Sequence, residues 1–390
     1  MFVCAGIWIH NQVESALHRI ISEDLQTILA TDIAALEFWM EQERGTADSW
    51  AEDENVQRLS QSLQQRAIAS SDPVQALRSA QEQTQLRDLL DPLLDPDSYQ
   101  GYTLVNSAGL ILSAAKSDEQ IIGQHLSPQG LAGLNSVFTG QGSWIQPFWR
   151  GQYLHSQQLQ KDSVLMGVAA RLPDGDRQQR VALLLFIPPE KDFTRILSIA
   201  RMGESGDTYA FDENGRMLSD TRHLESLKTH GILPDTPAVR AMLRIELRDP
   251  GGNLLRGYRT DTPLAARPLT RLIATALADD TKQHAVLERY RDYRGVPVVG
   301  AARWIPGLGF GVATEVNAAE AFGALRPIEI AFWIFSALLL VALAGLVVFS
   351  IIVSRLGRRM EEIRQVGQYT LEEKIGEGGM GKVYMARHAL

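Results

Sequence analysis

The chain has 390 residues, 45% hydrophobic and 22% charged, with a formal net charge of −8. That length allows two or three globular units, each able to bury a core. An acidic balance without clustered Lys and Arg argues against a nucleic-acid partner, and the lone cysteine, Cys4, rules out an internal disulfide or a cysteine-rich metal site, so no metal ligand is assigned.

The chain opens on Met1–Ile9, MFVCAGIWI, apolar but too short to span a bilayer and without the basic segment of a signal peptide. Residues 1–11 are expected to be the remnant of a first transmembrane helix. The alternative is a hydrophobic start to a soluble helix. From Val13 the pattern turns helical, with Val13, Leu17, Ile21, Leu25, Ile28, Leu36 and Met40 at mostly three- and four-residue steps, and Gly45 ending it. A second helix is expected from Pro73, capped by Ser71 or Asp72, to Asp91, where Pro92 stops it. Residues 12–95 thus read as stem helices, whether paired as a coiled coil or packed on a sheet.

After Pro96 the period changes to two. Tyr102–Val105, a turn at Asn106–Gly109 and Leu110–Ser113 predict a β-hairpin. YTLVNSAGLILS (Tyr102–Ser113) aligns without a gap on TYAFDENGRMLS (Thr208–Ser219), and GVAARLP (Gly167–Pro173) resembles GAARWIP (Gly300–Pro306). Each of the latter pair precedes a turn and an apolar strand, Val181–Ile187 and Gly309–Val316. Two matches in the same order imply two copies of one sheet-bearing module, 96–195 and 196–327, joined by a helix within Pro188–Gly206. The fold class is therefore α+β, with antiparallel sheets.

Ile330–Val353 carries no charged residue. About 24 residues at 1.5 Å each span roughly 36 Å, enough to cross a hydrocarbon core, so 328–353 is read as a transmembrane helix. Arg355, Arg358 and Arg359 follow at once, which by the positive-inside rule puts the C-terminal side in the cytoplasm and everything before residue 328 outside it. Residues 354–368 form a mixed-charge juxtamembrane segment.

Two tandem α+β modules between a rising helix and a transmembrane helix resemble the double Cache domain of bacterial receptors, with PAS-like modules. YAFDENGRMLSD (Tyr209–Asp220) and YRGVPVVGAARWIPGLGFGVATEVNAAEAF (Tyr293–Phe322) carry the resemblance. It implies a small ligand in the membrane-distal module, 96–195. The signature of the amino-acid-binding subgroup is not matched: GSWIQPFWRGQY (Gly142–Tyr153) has the aromatics but no Arg two residues before a Trp. Trp144, Trp149, Tyr153 and Arg171 are the candidate ligand contacts, since aromatic walls with one convergent charge suit a small anionic or zwitterionic molecule. The plainer reading makes both tryptophans core and Arg171 a solvated strand end. Tyr290, Tyr293, Arg303 and Trp304 read as packing.

The last stretch, YTLEEKIGEGGMGKVYMARHAL, contains Gly376-x-Gly378-x-x-Gly381. A dinucleotide fingerprint should open a helix here. A Walker A loop needs Ser or Thr where Val383 stands. A protein-kinase glycine-rich loop is a β-hairpin of pattern G-x-G-x-x-G-x-V, met by Gly376, Gly378, Gly381 and Val383, with Gly379 at the tip and Ile375 on the entering strand. Glycine there lets backbone N–H groups approach phosphates, and Val383 offers a methyl surface to adenine.

The stretch closely resembles the first two strands of bacterial Hanks-type serine/threonine kinases, so 369–390 is expected to be the start of a kinase N-lobe. Lys382 lies inside the loop strand and is not the phosphate-pairing lysine. The resemblance implies ATP and Mg²⁺ as cofactors, protein substrates, and catalytic residues beyond Leu390. The expectation is a fragment of a transmembrane receptor kinase, working as a homodimer in the inner membrane with membrane lipid around its helix. A non-enzymatic Cache receptor with a pseudokinase or docking output is the alternative.

Overall fold

The computed structural model describes residues 2–140, 144–153, 163–173, 180–278, 283–323 and 325–388. The chain divides into two compact units, Ser15–Gly323 and Met1–Glu14 with Ala324–Leu390.

Within Ser15–Gly323 the long helix α1 (Phe2–Ala51) supplies the spine. Ile21, Leu25, Leu29, Ile33, Leu36 and Met40 are its buried stripe, at steps of three and four. Leu17 and Ile28, expected on that stripe, are only half-buried, and the side chain of Val13 lies outside the described residues. Gly45 does not end the helix. A glycine costs about 1 kcal/mol in a helix interior, and the burial of Ala47 and Ala51 beyond it offsets that cost. Asp53 then caps α2 (Glu54–Ala69), accepting the N–H groups of Asn55 at 2.8 Å and Val56 at 3.1 Å.

The single helix expected from Pro73 to Asp91 is two, α3 (Pro73–Arg78) and α4 (Gln81–Leu90), followed by a 3₁₀ turn at Asp91–Leu93. The break follows from side chains that compete for the backbone. The Ser79 hydroxyl donates to the Gln75 carbonyl at 2.8 Å, and Arg78 turns out to the carbonyls of Ile122 and Gln120.

The first sheet comprises β1 (Gly101–Asn106), β2 (Ile111–Ala114), β3 (Trp144–Trp149), β4 (Val164–Arg171) and β5 (Val181–Ile187), antiparallel in the order β2-β1-β5-β4-β3. Helices α5 (Pro128–Thr139) and α6 (Arg150–Tyr153) flank β3 in sequence. The short helix α7 (Asp192–Leu197) is all that forms of the expected linking helix. Gly203 in its left-handed conformation ends any continuation.

The second sheet comprises β6 (Asp207–Phe211), β7 (Gln283–Arg291), β8 (Pro297–Ile305) and β9 (Phe310–Asn317), in the order β6-β9-β8-β7, with helices α8 (Leu224–Thr229) and α9 (Arg271–Ala278) between β6 and β7, and α10 (Ala318–Ala321) after β9. Its order reproduces β1-β5-β4-β3 strand for strand. The repeated GVAARLP and GAARWIP fall on the equivalent strands β4 and β8.

The repeated turns match in chemistry too. The Asn106 side chain accepts the N–H groups of Ala108 and Leu110, and Asp212 accepts those of Asn214 and Arg216, before a left-handed Gly109 or Gly215. After the second turn only an isolated bridge, Phe211 to Met217, replaces a full strand.

In the other unit, α11 (Leu325–Arg364) contains Ile330–Leu356, the one described helix long and apolar enough to cross a membrane, with mean hydropathy 2.8. Strands β10 (Gln365–Val366), β11 (Tyr369–Gly378) and β12 (Gly381–His388) form an antiparallel sheet in chain order.

Candidate functional site

Strand pairing decides which face each predicted ligand contact occupies. Tyr102 pairs Leu185, Leu185 pairs Val168 and Val168 pairs Trp144, so these four share a row and a face. That face meets the helices: Asn106 donates to Gln64 of α2, and Ser113 to Gln83 of α4. Trp144 therefore turns toward the spine, its ring 5.3 Å from Trp39 of α1.

Trp149 stands at the other end of β3, with the Arg244 guanidinium carbon 4.7 Å from its ring centre. Arg171 pairs Ala182, which pairs Val105, so it belongs to the opposite face, where it ends β4 exposed. Tyr153 ends α6, and its side chain lies outside the described residues. The structure brings Trp144 and Trp149 together and leaves Arg171 apart.

Both tryptophans line a groove of about 470 Å³ with Gln129 and Ser136 of α5, and Arg216, Leu243 and Leu308 of the second module close it. Gln146, between the tryptophans on β3, donates to the Gly309 carbonyl at 2.6 Å and ties the edge strand to the β8–β9 turn. Aromatic walls, amide side chains and one cation make an amphipathic groove of a size that holds a small molecule.

The reading from sequence missed Arg150 and Asp118. Arg150 opens α6 directly after Trp149, and its guanidinium pairs with Asp118 on the 3₁₀ turn Lys116–Ile121. Asp118 is 1% exposed. Burial pushes its carboxyl above the usual range, against the pull of Arg150. One Asp118 oxygen, Arg150 Nε and the hydroxyl of fully buried Thr103 have no hydrogen-bond partner among the described residues. Buried polar atoms are almost always paired, so these three are exceptions in the packing of the first module. Arg150 was visible in FWRGQY as a cation beside two aromatics. Asp118, 32 residues earlier, gave no signal.

The glycine-rich stretch is a β-hairpin. Gly376 pairs Val383 and Gly378 pairs Gly381, leaving Gly379 and Met380 at the tip, while Ile375 lies exposed on β11. A helix after the loop, which a dinucleotide or Walker loop needs, is replaced by β12. A Cβ added at Gly376, Gly378, Gly379 or Gly381 would meet no described atom within 4 Å. Packing within the described chain therefore does not require the glycines.

No protein-family model matches the chain, and no curated protein sequence matches it. Among solved structures it is similar to the periplasmic domain of RsbU from Chlamydia trachomatis, at 12% identity and TM-score 0.45, over 80% of this chain and 98% of that one. It is also similar to the ligand-binding domain of the Pseudomonas aeruginosa amino acid chemoreceptor PctB in complex with L-Arg, at 13% identity and TM-score 0.42, over 81% and 98%. The V. cholerae histidine kinase DctB sensor domain is similar at 11% and 0.41, over 78% and 98%.

Proposed function

We propose that this chain is the sensing and membrane-crossing part of a receptor serine/threonine kinase, its outer modules being a double Cache domain. The observation that carries the enzymatic half is the hairpin at residues 369–388. Four glycines in six residues, none required by packing, suit a backbone that must approach phosphates. In this reading Gly376, Gly378, Gly379 and Gly381 cradle the phosphates of ATP, Val383 and Ile375 cover the adenine, and Mg²⁺ and the catalytic groups belong to sequence beyond Leu390. Three arginines after the span support a reading with this hairpin in the cytoplasm and the two modules outside.

The sensing half rests on the distal module, where Trp144 and Trp149 line a groove with Gln129 and Gln146 and, from the second module, Arg216. A small anionic or zwitterionic ligand fits that chemistry. It regulates by binding one arrangement of the homodimer better than the other.

The test is expression of the complete product of the reading frame containing this chain, in membranes, with labelled ATP. Phosphoryl transfer that needs Mg²⁺ and is lost in Gly378→Ser supports the kinase. No transfer, with a phosphate-pairing lysine present downstream, leaves the alternative: a receptor whose output is a pseudokinase or docking hairpin.

A further inference from the structure

A cleft of about 720 Å³ lies where the α7 segment passes between the two sheets, away from the groove at β3. Its lining is nominally balanced, with five basic residues, Lys191, Arg195, Arg201, Arg222 and Arg240, against five acidic ones. The hydrogen bonds break that balance.

Four of the acids are already engaged. Asp97 holds Lys191 at 2.7 Å and Asp192 holds Arg195 at 2.5 Å. Asp207 accepts the Thr221 hydroxyl and the Arg222 N–H, and Asp220 accepts the Ala241 N–H at 2.9 Å. On the basic side, Arg201 has no hydrogen bond or ion pair among the described residues. Arg222 uses one donor, to the Gly206 carbonyl, and Arg240 comes only within 3.7 Å of Asp220. A guanidinium carries five N–H donors, so the cleft holds a surplus of donors over acceptors. Burial pushes the carboxyls of Asp207 and Asp220 upward.

We propose that this cleft is a second small-molecule site, for an organic anion bearing two or more carboxylates, held by Arg201 and Arg222 with the Thr208 and Thr221 side chains at the floor. The position gives it a consequence. Arg201 directly precedes the turn Met202–Gly206, closed by the Gly206 N–H to the Met202 carbonyl at 3.0 Å, and the Glu320 carboxylate on α10 grips that turn through the N–H groups of Glu204 at 2.6 Å and Ser205 at 2.9 Å. Gly203, at φ +60°, makes the grip possible, since a Cβ there would stand 2.2 Å from a Glu320 oxygen. Helix α10 directly follows β9, so an anion drawing on Arg201 acts on the segment that leaves the second module. The proposal is independent of the kinase reading and of the distal site.

The experiment is calorimetric titration and thermal melting of the full chain in detergent with citrate and malonate, against sodium chloride of matched ionic strength. Saturable binding that Arg201→Ala weakens tenfold or more, and that Arg256→Ala, the loss of an exposed cation outside both pockets, leaves unchanged, is the expected result. Arg201 is exposed, so its loss leaves the fold intact, which the melting curve without ligand checks. No binding of either carboxylate at millimolar concentration overturns the proposal. Binding that survives Arg201→Ala undiminished also overturns it.

Discussion

The ring centres of Trp39 on α1 and Trp144 on β3 stand 5.3 Å apart, and Trp39 also faces Phe193 of α7 at 6.4 Å, which meets Phe310 of β9 edge-on at 5.8 Å. Four aromatic rings thus join the edge of the first sheet, the spine, the linker and the second sheet. Trp39 is the shared member and is 8% exposed. Trp39→Ala is expected to destabilise by about 3–5 kcal/mol, the range for a buried large aromatic. Trp39→Phe should cost less than half of that. The urea midpoint of the full chain in detergent measures both.

The Asp118–Arg150 pair gives a sharper prediction. Removing one partner strands a buried charge, so Arg150→Ala is expected to cost about 3–5 kcal/mol, whereas Asp118→Leu with Arg150→Met should recover most of it. Equal loss in the single and double variants would show that the pair matters through packing rather than charge.

Glu315 and Asp32 oppose stability as pH rises and together outweigh His223, whose imidazole is held down by burial at about 3. Glu315 is buried under the hydroxyls of Tyr209 at 2.8 Å and Tyr290 at 2.5 Å, and burial, aided by the charge of Asp292, lifts its carboxyl to about 7. Asp32 on α1, with one oxygen lacking a described partner, is likewise lifted by burial to about 7. Both folded-state values lie above the unfolded ones, so between pH 4.5 and 7 the folded chain binds more protons. Stability then falls as pH rises. The melting temperature is expected to drop by several degrees from pH 5 to pH 8, and Asp32→Asn with Glu315→Gln should flatten the profile.

The Glu320 latch predicts a local effect. The carboxylate is held below its usual range by the Ser205 side chain and the Glu204 N–H, so the latch is whole above pH 4.5 and is lost as pH falls through the lower folded value. Its contacts are exposed, so Glu320→Ala should cost only about 1 kcal/mol. Amide exchange at Glu204 and Ser205 is then expected to quicken about fivefold, with the global midpoint nearly unchanged.

Much of the architecture was legible because it rests on short-range rules. Alternation of apolar residues exposes strands wherever one face is buried, and the Asn106 and Asp212 turns announce themselves by a side chain that bonds two residues on, followed by glycine. The apolar run Ile330–Val353 needed only length and the absence of charge. Helix α2 escaped notice because its sequence, ENVQRLSQSLQQRAIA, is largely polar. Its buried Ser60 and Gln64 show that neighbouring elements, more than its own hydropathy, set its place.

The candidate sites divide along the same line. Local sequence could nominate Trp144, Trp149 and the glycines of residues 376–381, since each stands in a compact motif. Tertiary structure alone turned Trp144 toward the spine and set Arg171 on the opposite face, because a strand's faces are assigned by its partners. It alone brought Asp118 to Arg150, and Glu320 to a turn 115 residues earlier. Pairings over such distances leave no periodicity in the chain. They exist only once the sheets have set the spacing.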